Sequence, residues 1–351
     1  MLKYAVLALL LLMPPAARAG DAVPATAYFP VLPQGALPDT LPQFVPLAVN
    51  HAIDGDQADI ANAVIVIHDE TRDANAALAA VSALAGAANA STLILAPQFL
   101  LPSDIARFTD HLPDSGHAFA AWQAAGWVQG DDAVTSGRKG VSSYTVIDLL
   151  LMYLSDRKLF PNLRHITVAG FGVGGNFVQR FAALSTAPDI VARGGVDMRF
   201  LVAGASSYLY LTANRPLGGN KGWGRPDLTA CPAYNDYPYG LDNLNAYARH
   251  TGGNAVKITY ATRFVTYLAV PAMDANPDGN CAALAEGADR VTRAANFQTY
   301  LGSLYGDVAA RTQTFAKPDA PNDLIGLFGS QCGMAVLFGD GRCARVFGDA
   351  R

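Results

Sequence analysis

The chain has 351 residues and a formal net charge of −4, and 51% of its residues are apolar while only 15% are charged. This composition is typical of one large folded domain or two small ones and excludes a disordered or fibrous chain. Lysine and arginine are scattered without a basic block, which argues against nucleic acid or an anionic membrane as the main partner.

The segment 1–19 has the pattern of a secretory signal peptide. Lys3 supplies a short positive region, residues 5–13 form an apolar run too short to span a bilayer, and Ala17-Arg18-Ala19 is a small-x-small cleavage signature. We expect cleavage after Ala19 and an exported protein, periplasmic or secreted, with no membrane anchor after signal removal.

The remaining chain divides into a proline-rich segment, 20–60, and a single domain, 61–351. We interpret the first as an extended N-terminal arm on the domain surface. In the second, apolar runs predict strands at 63–67, 92–96, 165–169, 199–203, 265–269 and 313–315, and the stretches between them predict helices at 74–90, 143–154 and 176–184. This alternation predicts an α/β domain with a mostly parallel central sheet, helices on both faces and ligand sites at the carboxyl ends of the strands.

Two features lie outside this alternation. The segment 211–250 is rich in Gly, Pro, Asn and Tyr, which predicts an irregular excursion over the sheet edge. The chain has four cysteines, an even number that predicts two disulfides in an oxidising compartment. Cys332 and Cys343 could clip a hairpin, and Cys231 would then pair with Cys281, but three pairings are open from sequence alone.

The sharpest local motif is Gly170-Phe171-Gly172-Val173-Gly174-Gly175, between a predicted strand and a predicted helix. It matches the dinucleotide fingerprint G-x-G-x-x-G, whose glycines admit a pyrophosphate to a helix N-terminus. That fingerprint expects an acidic residue at the end of the next strand, which here ends in Gly204. We favour the alternative, a nucleophile elbow G-x-S-x-G, in which Gly172 stands where serine is needed.

Several patches, taken in chain order, resemble exported bacterial and fungal α/β-hydrolase-fold proteins of the serine-esterase kind. They are Val66-Ile67-His68 with Arg72-Asp73-Ala74, then 96–99, 142–143 with Asp148, 160–163, 206–210, 231–235 and 239–241. The resemblance extends from about Val64 to Phe338. It implies the α/β-hydrolase fold and a Ser…Asp…His triad in that chain order.

The resemblance maps the triad to Gly172, Asp274 and Asn322, so the acid is retained while the nucleophile and the histidine are replaced. The last histidine of the chain is His250, so no base can come from the loop after the final strand in any alignment. Glycine carries no oxygen for an acyl-enzyme, and asparagine cannot accept the serine proton and return it. We therefore expect the degenerate triad to be without ordinary serine-hydrolase chemistry.

The resemblance also implies an oxyanion-hole region at His68, Asp69 and Val173, with the backbone N–H of Val173 as one donor. Asp69 replaces the family's glycine, and its carboxylate could oppose an oxyanion. We interpret His68 as a structural donor that bridges two loops. The acidic loop from His68 to Asp73 could suggest a metal, but its spacing fits a solvated loop better, and we expect no metal and no cofactor.

Three functions are compatible with these sequence features. The first is a catalytically inactive relative that binds an unknown small molecule or protein at the carboxyl edge of the strands. The second is an active carboxylic-ester hydrolase with relocated groups, a dyad of His68 with one of Ser142, Ser143, Ser206 or Ser207. The third, a nucleotide-binding protein, is disfavoured by the missing acidic residue. The tyrosines of 208–239 could line a binding cleft or pack the excursion onto the domain.

Overall fold

A computed structural model describes residues 24–25, 27–33, 35–37, 39–53, 55–135, 138–217, 222–269, 280–339, 341 and 343. The predicted signal peptide 1–19 and the predicted triad acid Asp274 lie outside the described residues. Within the described ranges, no helix combines the length and the apolar character that crossing a membrane requires.

The strands form one large sheet and one small ribbon. Their bounds are β1 Ala27–Val31, β2 Gln43–Val49, β3 Asn62–Ile67, β4 Thr92–Pro97, β5 His165–Phe171, β6 Asp197–Ala203, β7 Arg215–Pro216, β8 Trp223–Gly224, β9 Phe264–Leu268 and β10 Gln313–Ala316. The eight-stranded sheet has the order β1-β2-β4-β3-β5-β6-β9-β10, and β7 pairs with β8. Only β2 runs antiparallel to its neighbours in the large sheet, so the predicted mostly parallel sheet is confirmed.

Helices connect the strands. Their bounds are α1 Ala74–Ala85, α2 Pro102–Arg107, α3 Gly126–Gln129, α4 Ser143–Leu154, α5 Val173–Leu184, α6 Ala187–Arg193, α7 Ala246–Thr251, α8 Gly253–Ala261, α9 Cys281–Glu286, α10 Arg290–Tyr305, α11 Asp307–Thr312, α12 Leu324–Gly329 and α13 Gln331–Phe338, with 3-10 turns at Gly86–Ser91, Thr109–His111 and Pro113–Gly116. The predicted helix 143–154 coincides with α4, which begins where the Ser142 side chain accepts a hydrogen bond from the Tyr144 N–H.

Two apolar cores cover the two faces of the sheet, because alternate side chains of a strand point to opposite faces. On β3, Ala63 and Ile65 pack into the core that includes α4 and α5, whereas Val64 and Val66 pack into the core that includes α1, α12 and α13. All four side chains are buried. The predicted helices on both faces are therefore confirmed. The apolar run of β3 is continuous because both faces of the strand are buried.

The segment 20–60 differs from the predicted surface arm. It supplies β1 and β2, which extend the large sheet, and Val31 and Val45 on these strands are fully buried. Prolines occupy strand positions in both, at Pro30 and Pro46. Proline removes a backbone donor and usually argues against a strand, which is why the sequence pattern concealed these two.

Both predicted disulfides form. Cys231 pairs with Cys281, which fastens the irregular segment 211–250 to the start of α9. Cys332 pairs with Cys343. Cys332 lies on α13, so this second bridge joins a helix to the chain that follows it and does not clip a hairpin.

Candidate functional site

The turn after β5 lies at the switch point of the sheet. From β3 the chain continues to its neighbour β4 on one side, and from β5 it continues to its neighbour β6 on the other side. Ligand sites of open α/β sheets form at such crevices. Gly172 forms the turn, with φ 58° and ψ −118°, and its N–H donates to the carbonyl of Ala203 at 2.9 Å. Helix α5 begins at the next residue.

The residues around Gly172 must be small because backbone approaches them closely. A Cβ atom at Gly170 would lie 2.2 Å from the carbonyl oxygen of Gly174. A Cβ atom at Gly174 would lie 2.5 Å from the carbonyl oxygen of Ile67. A tight strand-to-helix turn with small flanking residues and a positive φ at its centre has the geometry of a nucleophile elbow.

The carboxylate of Asp69 occupies the position where the elbow's chemistry would take place. The Val173 N–H, the predicted oxyanion donor, donates to Asp69 Oδ1 at 2.8 Å. A Cβ atom at Gly172 would lie 2.7 Å from the same Oδ1 and 3.0 Å from Cγ of Asp69. One side chain thus fills the space of a nucleophile and accepts the hydrogen bond that an oxyanion would accept.

His68 bridges the loops after β3 and β4. The Phe99 N–H donates to His68 Nε2 at 3.0 Å, so that nitrogen is unprotonated, and Nδ1 donates to the carbonyl of Asp69 at 2.9 Å. The ring is buried and packs against Phe99 and Trp127, with ring centroids 5.6 and 4.6 Å away. Burial lowers the pKa of His68 to about 4, so the ring is neutral at pH 7. Backbone groups pair with both ring nitrogens, which agrees with the interpretation of His68 as a structural residue that bridges two loops.

The four serines considered for a relocated dyad have other partners. Ser142 and Ser143 donate to the carbonyls of Gly130 and Trp127, Ser206 accepts from Asn176 Nδ2, and Ser207 accepts from Arg180 Nη2, at distances of 2.7, 2.7, 2.9 and 2.9 Å. Since backbone groups hold both nitrogens of His68, the structure does not bring any of these hydroxyls into a hydrogen-bonded pair with it.

Asn322, the predicted triad histidine position, follows β10 and lies near the end of β6. A Cβ atom at Gly204 would lie 3.3 Å from Asn322 Oδ1 and 2.8 Å from the ring of Phe171, so both side chains converge on the end of β6. Asn322 Oδ1 is buried and accepts no hydrogen bond from the described residues. The structure therefore places Asn322 beside Gly204 and near Phe171, while Asp274 lies outside the described residues.

Two open clefts adjoin this site. One, of about 560 Å³, lies against Asp69 and Phe171 between α1 and α12. The other, of about 440 Å³, lies against Val173 under the segment 211–250, and Tyr239 contributes to its wall. Tyr208, Tyr210 and Tyr234 are buried, which agrees with the expectation that the tyrosines of this segment pack it onto the domain.

Sequence reasoning missed a group of buried charges near the second cleft. Glu286 is fully buried, and its Oε2 accepts a hydrogen bond from the Tyr208 N–H at 2.9 Å. Burial raises the pKa of Glu286 to about 8, against the opposing influence of Arg215. Arg180 and Arg293 are buried as well. Nothing in the spacing of these residues signals burial, since they come together only through contacts distant in sequence.

Metal-ligating side chains do not cluster in the part of the chain that the structure describes. No group of three or more His, Cys, Asp or Glu residues there could hold a metal ion. The acidic loop from His68 to Asp73 directs Asp69 to the Val173 N–H, and the Asp73 side chain caps α1 by accepting from the Ala76 N–H at 2.8 Å.

Two solved structures are similar to this chain over most of its length. Poly(aspartic acid) hydrolase-1 from Sphingomonas sp. KT-1 has a TM-score of 0.53 at 18% identity, over 87% of this chain and 95% of that one. The poly(3-hydroxybutyrate) depolymerase LpqC from Bordetella parapertussis has a TM-score of 0.53 at 16% identity, over 93% of each chain. No protein-family model and no curated protein sequence matches this chain. With the mostly parallel eight-stranded sheet, these neighbours define the chain as an α/β-hydrolase-fold protein.

Proposed function

We propose that this chain is an exported pseudo-hydrolase, a catalytically inactive α/β-hydrolase-fold protein that binds a small molecule or a protein at the carboxyl edge of its sheet. The observation that carries the proposal is the Asp69 carboxylate, which accepts from the Val173 N–H and fills the space beside Gly172. An oxyanion hole works because its donors are free to meet developing negative charge. Here the donor is already paired with a fixed negative charge.

The replaced triad groups support the same proposal. Loss of a triad member costs about 10⁴ to 10⁶ in rate, and the residual catalysis of such variants depends on the oxyanion hole. Gly172 offers no hydroxyl, and the Val173 N–H already donates to Asp69, so both observations support the absence of catalysis. Export is supported by the signal-like segment 1–19 and by the two disulfides, which suit an oxidising compartment.

The test is covalent labelling of the purified mature protein with a fluorophosphonate probe, beside turnover of short-chain nitrophenyl esters. We expect no labelling, and ester turnover no faster than that of a heat-denatured sample. Labelling of the native protein would contradict the proposal. It would instead support the alternative, an active carboxylic-ester hydrolase with relocated groups, and mapping the labelled peptide would identify the nucleophile.

A further inference from the structure

The cleft of about 440 Å³ beside Val173, called here the Arg180 cleft, is continuous with the candidate site. Val173, Asn176 and Arg180 line it from one face of α5, because residues spaced by three and four share a helix face. Its remaining walls come from the loop after β3, from α3 and from the segment 211–250.

Arg180 holds a positive charge in this cleft without a negative partner. The side chain is only 2% exposed, and its donors meet neutral acceptors, with Nε donating to the carbonyl of Pro238 at 3.2 Å and Nη2 to Ser207 Oγ at 2.9 Å. Nη1 makes no hydrogen bond to the described residues and is not sealed from solvent. No carboxylate of the described ranges lies within ion-pair distance. A buried charge is costly unless an anion or several hydrogen bonds compensate it.

The other charged groups around the cleft leave Arg180 uncompensated. Arg72 also lines the cleft, but Asp104 neutralises it through two hydrogen bonds of 2.9 Å. Glu70 lines the cleft with an exposed side chain. Glu286 interacts electrostatically with Arg180, but its raised pKa of about 8 leaves it mostly protonated at pH 7. The cleft thus presents one cation to a ligand, beside the apolar surfaces of Val128, Val173 and Pro238.

We propose that Arg180 binds the carboxylate of an organic acid whose aliphatic part lies along the apolar wall of the Arg180 cleft. A guanidinium matches a carboxylate through charge-assisted hydrogen bonds, and a single open guanidinium suits a singly charged anion. This inference rests on the proposed binding role and names the ligand class for it.

The test is isothermal titration calorimetry on the mature protein with straight-chain carboxylates from butyrate to octanoate, each compared with the amide of the same length. We expect the carboxylates to bind at least roughly tenfold more tightly than the amides, as a charge-assisted hydrogen bond requires. Arg180→Gln should remove this preference, and Arg180→Lys should keep part of it. The matched control is Arg193→Gln, which removes an exposed charge on α6 and should leave binding unchanged.

Equal binding of acid and amide, failure of the carboxylates to bind the native protein, or unchanged binding by Arg180→Gln would overturn the proposal. If Arg180→Gln does not fold, the acid-to-amide comparison on the native protein still decides. The outcome is separable from that of the pseudo-hydrolase proposal. Absence of fluorophosphonate labelling together with absence of carboxylate binding would refute only the ligand class.

Discussion

Gly172 immediately precedes helix α5 and Arg180 lies two turns further along it, yet polar groups are paired differently at the two places. At the elbow the reactive donor is paired within the chain, because the Val173 N–H is bonded to Asp69. At the cleft a guanidinium keeps a nitrogen without a protein partner among the described residues. The Val173 N–H is thus paired within the protein, whereas the Arg180 guanidinium is only partly paired.

Under the proposed function, this difference would let a hydrolase scaffold lose reactivity at the elbow and keep a ligand site at the cleft. The elbow needs only backbone geometry to persist, and Gly172 adopts its positive φ without the steric cost that serine bears. The cleft depends on side chains that the fold itself requires, such as Arg180, which also fastens the segment 211–250 through the carbonyl of Pro238. A loss of catalysis at the elbow would therefore leave the side chains of the cleft in place.

The largest effect on stability is expected at His68, the buried anchor of the elbow region. His68→Ala leaves the Phe99 N–H without its acceptor and opens a cavity beside Trp127, so we expect the free energy of unfolding to fall by about 3–4 kcal/mol. Urea denaturation measures it. His250→Ala, an exposed histidine on α7, is the control and should change stability by less than about 0.5 kcal/mol. An equal change in the free energy of unfolding for the two variants would contradict the structural role of His68.

The two regions should also differ in their response to pH. The folded-state pKa of Glu286, near the cleft, is raised from 4.5 to about 8, so the stability it contributes is greatest below pH 4.5 and is lost as pH rises through about 8. We expect the native protein to lose about 2–3 kcal/mol between pH 6 and pH 9 through this group. Glu286→Gln, which mimics the protonated form, should flatten that decline in urea melts at a series of pH values. An unchanged decline would contradict the assignment.

His68 should act in the opposite direction. Its folded-state pKa is lowered from 6.5 to about 4, so its contribution is present above pH 6.5 and is lost as pH falls through about 4. Comparing the melting temperature at pH 7 and pH 4.5 in the native protein and in His68→Gln measures this loss. We expect the melting temperature of the native protein to fall more between pH 7 and pH 4.5 than that of His68→Gln. An equal fall in both proteins would contradict a neutral, buried His68.

A smaller effect on stability is expected at Gly172. Comparing a serine at this position with a serine at a second glycine of positive φ should separate steric conflict from backbone strain. Gly172→Ser places a side chain against the Asp69 carboxylate at a positive φ, and we expect a cost of about 2–3 kcal/mol in urea melts. Gly252→Ser is the matched control, because Gly252 has φ 78° and no atom within 4 Å of its added Cβ, and should cost about 1 kcal/mol. In an Asp69→Gly background, Gly172→Ser should cost no more than the control. An unreduced cost there would show that Asp69 does not occupy the space.

Sequence patterns predicted much of the fold because its central elements are locally encoded. The six predicted strands occur, α4 has its predicted bounds, and the glycines around Gly172 lie in the tight strand-to-helix turn that their spacing predicted. The strands β1 and β2 were missed because Pro30 and Pro46 remove the strand signal, although β1 lies at the edge of the sheet and β2 lies between β1 and β4.

The polar arrangement of the site was less accessible to sequence. The sequence placed Asp69 in the oxyanion region, but the hydrogen bond to the Val173 N–H joins residues 104 positions apart and depends on how two loops meet. The Glu286 carboxylate and the Tyr208 N–H that it accepts from are 78 positions apart. Burial of a charged side chain is a property of such distant contacts, so neither composition nor periodicity reveals it.

In the proposed function, Asp69 closes the elbow in addition to the loss of the triad groups. The most direct test compares fluorophosphonate labelling of Gly172→Ser/Asn322→His with labelling of the same variant carrying Asp69→Gly. We expect the triple variant to be labelled and the double variant to remain unlabelled, because only the former frees the Val173 N–H and the space beside position 172. Equal labelling of the two variants, or no labelling of either, would contradict the account.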